Sequence, residues 1–240
     1  MDVASLKQRM DAWTTRTLAY LHRRFLVDDR RHWPLRRVYE RAAESSASFI
    51  EANMDDAVLF DYRTDYWAWL VTRLPKEGLL LEAGVFEGKS INFIADRLKA
   101  RGDGRLIHGF DSFEGLEEDW AGEALAAGHF DQGGRLPPVR ANVRLHKGWV
   151  QDTVAPFLAE HPDEPIALLH IDTDTYTPAR YLLETCAPRL VPGSIIAFDE
   201  LIGYPNWPAH EAKALSEVLP RERYRFIAFT SRQAAIRILA

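Results

Sequence analysis

Asp172 and Asp174 close the segment His170-Ile171-Asp172-Thr173-Asp174-Thr175-Tyr176, and Asp199 and Glu200 close Gly193-Ser194-Ile195-Ile196-Ala197-Phe198-Asp199-Glu200. Each acidic pair follows an apolar run that reads as a buried strand. Two such strands, separated by one helical stretch, form a βαβ unit whose carboxyl ends lie side by side. Asp172 and Asp174 share a face while the chain stays extended. Four carboxylates then converge at the sheet edge where open α/β folds bind ligands. At about 5 Å and an effective dielectric near 20, each charged pair repels by about 3 kcal/mol. A hard divalent cation with oxygen ligands is the simplest offset. The plain structural alternative is that Asp172-x-Asp174 caps the following helix and Asp199-Glu200 forms an exposed turn. His170 alternates away from Ile171 and reads as a strand histidine with its bonds satisfied. For Glu211, after Trp207-Pro208, a reach into the site and a first-turn acid favoured by the helix dipole fit equally.

The elements that must position these acids follow from periodicity. Leu6, Met10, Trp13, Tyr20 and Leu21 fall near helical spacing, so the first 25 or so residues read as an amphipathic helix. Further helices are expected over Val38–Asn53, Tyr66–Leu74 and Ser90–Lys99. Strands are expected at Leu79–Ala83, Arg105–Phe110, Val143–Lys147, Ile166–Asp172, Ser194–Asp199, Arg223–Phe229 and Ala234–Leu239, the last two joined around Thr230-Ser231-Arg232. Seven strands in this alternation give a doubly wound, mostly parallel α/β sheet. Residues 1–75 are expected as a helical cap on the same domain as a 76–240 core. The stretch Asp119–Pro138, rich in glycine and proline, reads as a mobile lid.

Three segments at successive strand ends have the residue types of a nucleoside site. Leu81-Glu82-Ala83-Gly84-Val85-Phe86-Glu87-Gly88-Lys89-Ser90 is a strand, a glycine turn and a helix start, in which Gly84 and Gly88 permit close ligand approach and Ser90 could cap the helix. It lacks the middle glycine of G-x-G-x-x-G, and Glu82 argues against an anion there. Asp111, ending the next strand before Ser112 and Phe113, can accept hydrogen bonds from ribose hydroxyls. Gly148-Trp149 follows the third strand, with Trp149 placed either to stack on a base or to pack in the core. A nucleoside cofactor without dependence on phosphate fits all three, and S-adenosylmethionine is such a molecule.

The 240 residues carry 47% apolar and 27% charged residues, a globular profile. A net charge of −5 supplies no basic field for nucleic acid. Cys186, the single cysteine, excludes an intrachain disulfide and a cysteine-based zinc site. The N-terminus has no continuous apolar signal region and the chain no run of 18 apolar residues, so the expectation is a cytoplasmic protein with no membrane partner.

With these blocks assembled, the chain resembles class I S-adenosylmethionine-dependent O-methyltransferases, and within them the macrocin O-methyltransferase (TylF-like) family. Glu82–Ser90, Gly109-Phe110-Asp111-Ser112-Phe113-Glu114-Gly115-Leu116, His170–Tyr176 and Val191–Glu200 carry the match. The resemblance implies a Rossmann-like methyltransferase sheet and Mg²⁺-dependent methylation of a hydroxyl on a small molecule, a sugar or other vicinal diol of a secondary metabolite. Asp172, Asp199 and Glu200 then correspond to metal ligands and Asp174 to the general base. Glu82, Gly84, Asp111 and Ser112 correspond to cofactor contacts, and Val85, Gly88, Ser90, Phe113, Gly148 and Trp149 complete the expected cofactor set. Glu200 stands where relatives acting on antibiotic sugars often carry a second Asp. An NAD(P)-dependent reductase and a metal-independent methyltransferase are the alternatives, and self-association is left open.

Overall fold

The computed structural model describes residues 34–239, so the helix expected in the first 25 residues lies outside the described part. The chain divides into two compact units between Arg41 and Ala42. Segment 42–75, expected within the cap, therefore belongs to the same compact unit as the sheet. Val58–Leu59 (β1) joins that sheet, and Tyr66, Trp67, Leu70 and Val71 of the helix Arg63–Arg73 (α2) are buried. The helix Pro34–Glu51 (α1) runs through the division point.

From Leu79 the chain alternates strand and helix: β2 (Leu79–Ala83), α3 (Lys89–Ala100), β3 (Ile107–Asp111), a hairpin β4–β5 (Trp120–Ala121, Ala124–Leu125), β6 (Val143–Lys147), α4 (Val150–Glu160), β7 (Ile166–Ile171), α5 (Tyr176–Cys186), β8 (Leu190–Phe198), α6 (Glu211–Val218), β9 (Tyr224–Phe229) and β10 (Ala234–Ile238). The eight-stranded sheet runs β1-β9-β10-β8-β7-β2-β3-β6. Only β10 is antiparallel, to β8 and β9, as the expected terminal hairpin requires. The sheet has one strand more than the seven expected. Two residues with exposed side chains give β1 no alternating pattern to read.

Both faces of the sheet are covered, and this explains why β2 and β7 are apolar apart from Glu82 and His170 and buried along their whole length. Side chains alternate across it. Leu80, Ile107, Leu168 and Ile195 pack with α2 and α3, whereas Leu79, Leu81, Leu169 and Ile196 pack with α4 and α5. The chain crosses from β3 and β6 on one side of β2 to β7 and β8 on the other. The strand order thus reverses beside β2, and the crevice at the strand tips is where such sheets take ligands. No helix among the described residues is long and apolar enough to cross a membrane.

Away from that crevice, three histidines gather around Phe157 of α4. His108 Nδ1 and His146 Nε2 share a hydrogen bond of 3.0 Å, and the His161 ring centroid lies 4.5 Å from that of Phe157. Partial burial, then the neighbouring His146 and His161, lower the His108 pKa to about 4. Its neutral form is therefore preferred in the folded chain. The resulting stabilisation is complete above the unfolded value near 6.5 and is lost as pH falls toward 4. Melting temperatures taken from pH 7.5 to 4.5 should fall less steeply below 6.5 for His108→Leu than for the parent. Parallel curves would refute this assignment.

Candidate active site

Backbone hydrogen bonds stitch the strand tips together in register. Gly84 donates to the Phe110 carbonyl at 2.9 Å, Asp172 to the Ala83 carbonyl at 2.8 Å, and Asp199 to the Ile171 carbonyl at 3.0 Å. Ile171 pairs with Phe198, so the two acidic segments leave β7 and β8 at the same level. Gly84 sits at φ +87°, where a Cβ would stand 1.7 Å from the Asp172 carbonyl oxygen. The glycine turn and the acidic tip approach each other through backbone alone. Asp174 has φ +64°, a left-handed conformation uncommon for a residue with a side chain and concentrated at functional sites.

The carboxylates converge as their spacing implied. Donor atoms lie within 4.8 Å of one another in two groups, His170–Asp172–Asp199 and Asp172–Asp174–Glu200. Asp172 is common to both, and the expected set of Asp172, Asp199 and Glu200 is divided between them. Burial, then the charge of Asp199, pushes the Asp172 and Glu200 carboxyls well above the usual range, and the same causes lift Asp174 to about 7. Burial also works against the Asp199 carboxylate, yet His170 and then Arg63 hold it below the ordinary value. The cluster cannot carry its full negative charge unaided. His170 Nε2, Asp199 Oδ1 and Glu200 Oε2 are buried without a hydrogen-bond partner among the described residues. Oxygen-rich donors, mutual repulsion and unused lone pairs together fit a divalent cation.

Two neighbours extend the cluster. His170 Nδ1 lies 2.9 Å from Glu82 Oε2, and its Nε2 lies 3.7 Å from Asp199 Oδ1, an ion-pair distance. Burial opposes the imidazolium, but Asp199 and Glu82 raise the His170 pKa well above its ordinary value. Glu211, fully buried at the start of α6, accepts the Glu200 backbone N–H at 3.2 Å. Its sequence position allowed this reach without requiring it; only the path of the loop between Leu201 and His210 brings it in.

A cavity of about 390 Å³ opens at these tips. Gly84, Val85, Ser90, Asp111, Ser112, Phe113 and Trp149 line it, as do Asp172, Asp174, Asp199 and Glu200. Three expected cofactor residues do not. Glu82 is fully buried and accepts the Ser90 hydroxyl at 2.8 Å while facing His170. Gly88 precedes α3 in a left-handed turn. Gly148 donates its N–H to the Asp111 carbonyl at 2.9 Å. The strand's alternation turns Glu82 inward, so its contribution is support beneath the turn. Asp111 points at the cavity but is heavily used already. Its Oδ2 accepts N–H bonds from Val85 and Phe86 at 2.7 and 2.8 Å, and its Oδ1 accepts that of Phe113 at 2.6 Å. Of about four carboxylate lone-pair positions, one is left for a ribose hydroxyl.

Loop elements complete the wall. Trp120, Leu125 and Phe130 line the cavity from the segment expected as a lid. That segment holds the β4–β5 hairpin and is tied down: His210 Nε2 meets the Ala121 carbonyl at 2.7 Å, and Arg232 pairs with Glu123 at 2.5 Å. Glycine and proline content marked a loop there but carried no trace of these tertiary bonds.

Residues 81–201 match the family described as a methyltransferase domain, which is half of the chain. The chain belongs to that family. This displaces the reductase alternative. A curated relative from Streptomyces olivaceus, 8-demethyl-8-(2,3-dimethoxy-alpha-L-rhamnosyl)-tetracenomycin-C 4'-O-methyltransferase, is 33% identical over 141 residues. That alignment covers 51% of this chain and 52% of the relative, so the chain spans about half the length of the relative it matches. Among solved structures, the calicheamicin methyltransferase CalS11 superposes with a TM-score of 0.59 at 30% identity, covering 73% of this chain and 77% of that one. The O-methyltransferase NovP shares the fold, with a TM-score of 0.53 at 20% identity over 74% of this chain and 80% of its own.

The close approach of Gly84 to the Asp172 backbone makes a direct prediction. Gly84→Ala should destabilise the protein by about 2 kcal/mol or more, through a left-handed alanine and the displaced strand tip. Chemical denaturation would measure it, and an unchanged midpoint would show that the two tips do not touch.

Proposed function

We propose that this chain is a divalent-cation-dependent O-methyltransferase that moves a methyl group from S-adenosylmethionine to a hydroxyl of a small molecule. The observation that carries the reading is the meeting of two acid-tipped parallel strands with a glycine turn at one cavity. The activities of two relatives support the acceptor class: a rhamnosyl 4'-O-methyltransferase, and CalS11, a TDP-rhamnose 3'-O-methyltransferase at 29% identity. A sugar or other vicinal diol of a secondary metabolite is therefore the proposed acceptor. The motif blocks that resemble the macrocin O-methyltransferases point to the same substrates.

In this reading Asp172, Asp199 and Glu200 hold the cation, with Mg²⁺ favoured by the all-oxygen donor set. When bound, such an ion neutralises the gathered carboxylates and makes an acceptor hydroxyl more acidic. Asp174, held at the cavity wall by its left-handed backbone, takes the hydroxyl proton. Methyl transfer is an in-line displacement, so alignment is the protein's other task. Asp111 fixes the Gly84 turn through Val85 and Phe86 and offers its remaining lone pair to the ribose, while Trp149 supplies an aromatic surface for the base. Glu82 and His170 brace the site from beneath, and Glu211 fixes the Glu200 backbone.

Dialysis against EDTA should abolish turnover on rhamnose-bearing acceptors, and Mg²⁺ should restore it; full activity after dialysis would establish the metal-independent alternative. Asp172→Ala and Asp199→Ala should remove cation binding in calorimetry yet leave S-adenosylhomocysteine affinity within about tenfold. Asp174→Asn should lower turnover by about 100-fold or more with a smaller effect on cation affinity. Loss of cation binding equal to that of Asp172→Ala would make Asp174 a ligand and end its assignment as base.

A further inference from the structure

Three cationic side chains line the cavity: Arg63, Lys89 and Arg232. Lys89 pairs with Glu87 at 2.7 Å, and Arg232 with Glu123 at 2.5 Å. Arg63 makes no hydrogen bond and no ion pair among the described residues. Its guanidinium lies over the Trp67 ring, 5.3 Å from the centroid, and Trp67 itself lines the cavity. A cation–π contact of this kind restrains the guanidinium and leaves its N–H groups available.

Two features argue against a purely structural role. Arg63 is the first residue of α2, where the helix dipole disfavours a cation. Its field reaches Asp199, so compensation of the acidic cluster would be its simplest use, yet no carboxylate there closes to a pair with it. An exposed guanidinium that is held over Trp67, has no pair among the described residues and lines the same cavity as Gly84, Ser90 and Asp199 is suited to bidentate capture of an anion.

We propose that Arg63 is the anion-recognition residue of this cavity and takes a carboxylate or phosphate group of a bound ligand. The inference rests on the methyltransferase reading, within which two ligands could present that group. One is the carboxylate at the methionine end of the cofactor. The other is an acidic substituent on the acceptor, such as the phosphate of an activated sugar. In either case Arg63 sets which end of the ligand faces α2 and is a specificity-determining residue.

The test compares the parent, Arg63→Gln and Arg63→Lys by calorimetry in the presence of Mg²⁺, with three probes. S-adenosylhomocysteine carries the carboxylate, 5'-methylthioadenosine is the same nucleoside without the amino-acid tail, and inorganic phosphate is titrated into protein loaded with S-adenosylhomocysteine. If the cofactor is the source, Arg63→Gln weakens S-adenosylhomocysteine by about tenfold or more and leaves methylthioadenosine unchanged. If the acceptor is the source, both nucleosides bind as before and the phosphate affinity drops by a similar factor. Arg63→Lys should retain part of the affinity lost in Arg63→Gln, because its charge remains without the planar fork. Equal affinities for all three probes in parent and Arg63→Gln would overturn the proposal. Failure of the parent to bind S-adenosylhomocysteine at all is a different result, and it would overturn the methyltransferase reading itself.

Discussion

Asp172, Asp174, Asp199, Glu200 and Glu211 are gathered at one end of a parallel sheet, and their mutual repulsion in a poorly hydrated place is the constraint around which the rest is arranged. Burial raises four of these carboxyls and leaves Asp199 alone held below its usual value. No packing arrangement removes that repulsion; only protons, neighbouring cations or a bound ion can. The surrounding structure supplies His170 beneath the cluster and Arg63 and Arg232 on its flanks, one acting on Asp199 and the other on Asp174. Buried atoms of His170, Asp199, Glu200 and Glu211 have no hydrogen-bond partner among the described residues, although His170 and Asp199 lie at ion-pair distance from each other.

What keeps the acids together is the sheet register, in which Ile171 pairs with Phe198 between two apolar layers. A one-residue slip of β7 or β8 would send Leu168 and Ile195 to the face now held by Leu169 and Ile196. That exchange swaps leucine for leucine and isoleucine for isoleucine; a slip of β7 would instead turn His170 away from Glu82, 2.9 Å from it in the observed register. The same register brings the Asp172 carbonyl against Gly84, where no side chain fits. Glu82 then faces inward by alternation and joins Ser90 and His170 into a buried polar chain running under the glycine turn toward Asp199. The glycine-turn side and the acidic side of the cavity are in this way mechanically one unit.

Loop packing gives the cavity its remaining wall. The hairpin at Trp120–Leu125 is fastened by His210, Asn206 and Arg232, the last of which also lines the cavity with the acidic tips. The side of the site that would face an acceptor is thus built from three separate stretches of chain. The family match over residues 81–201 spans the central strands, the glycine turn and this hairpin alike.

The sequence by itself determined the parallel sheet, the order of its central elements and the four acids at neighbouring tips. These depend on periodicity and on residues adjacent in the chain to the strand ends they occupy. Tertiary structure alone decided which of the glycine-turn residues reach the cavity, that Glu82 serves the interior, and that β1, Glu211, Arg63 and the β4–β5 hairpin belong to the same assembly. Each of those placements depends on interactions between residues far apart in the chain. Local pattern records a residue's preference for a face or a turn, but not which distant partner will meet it there.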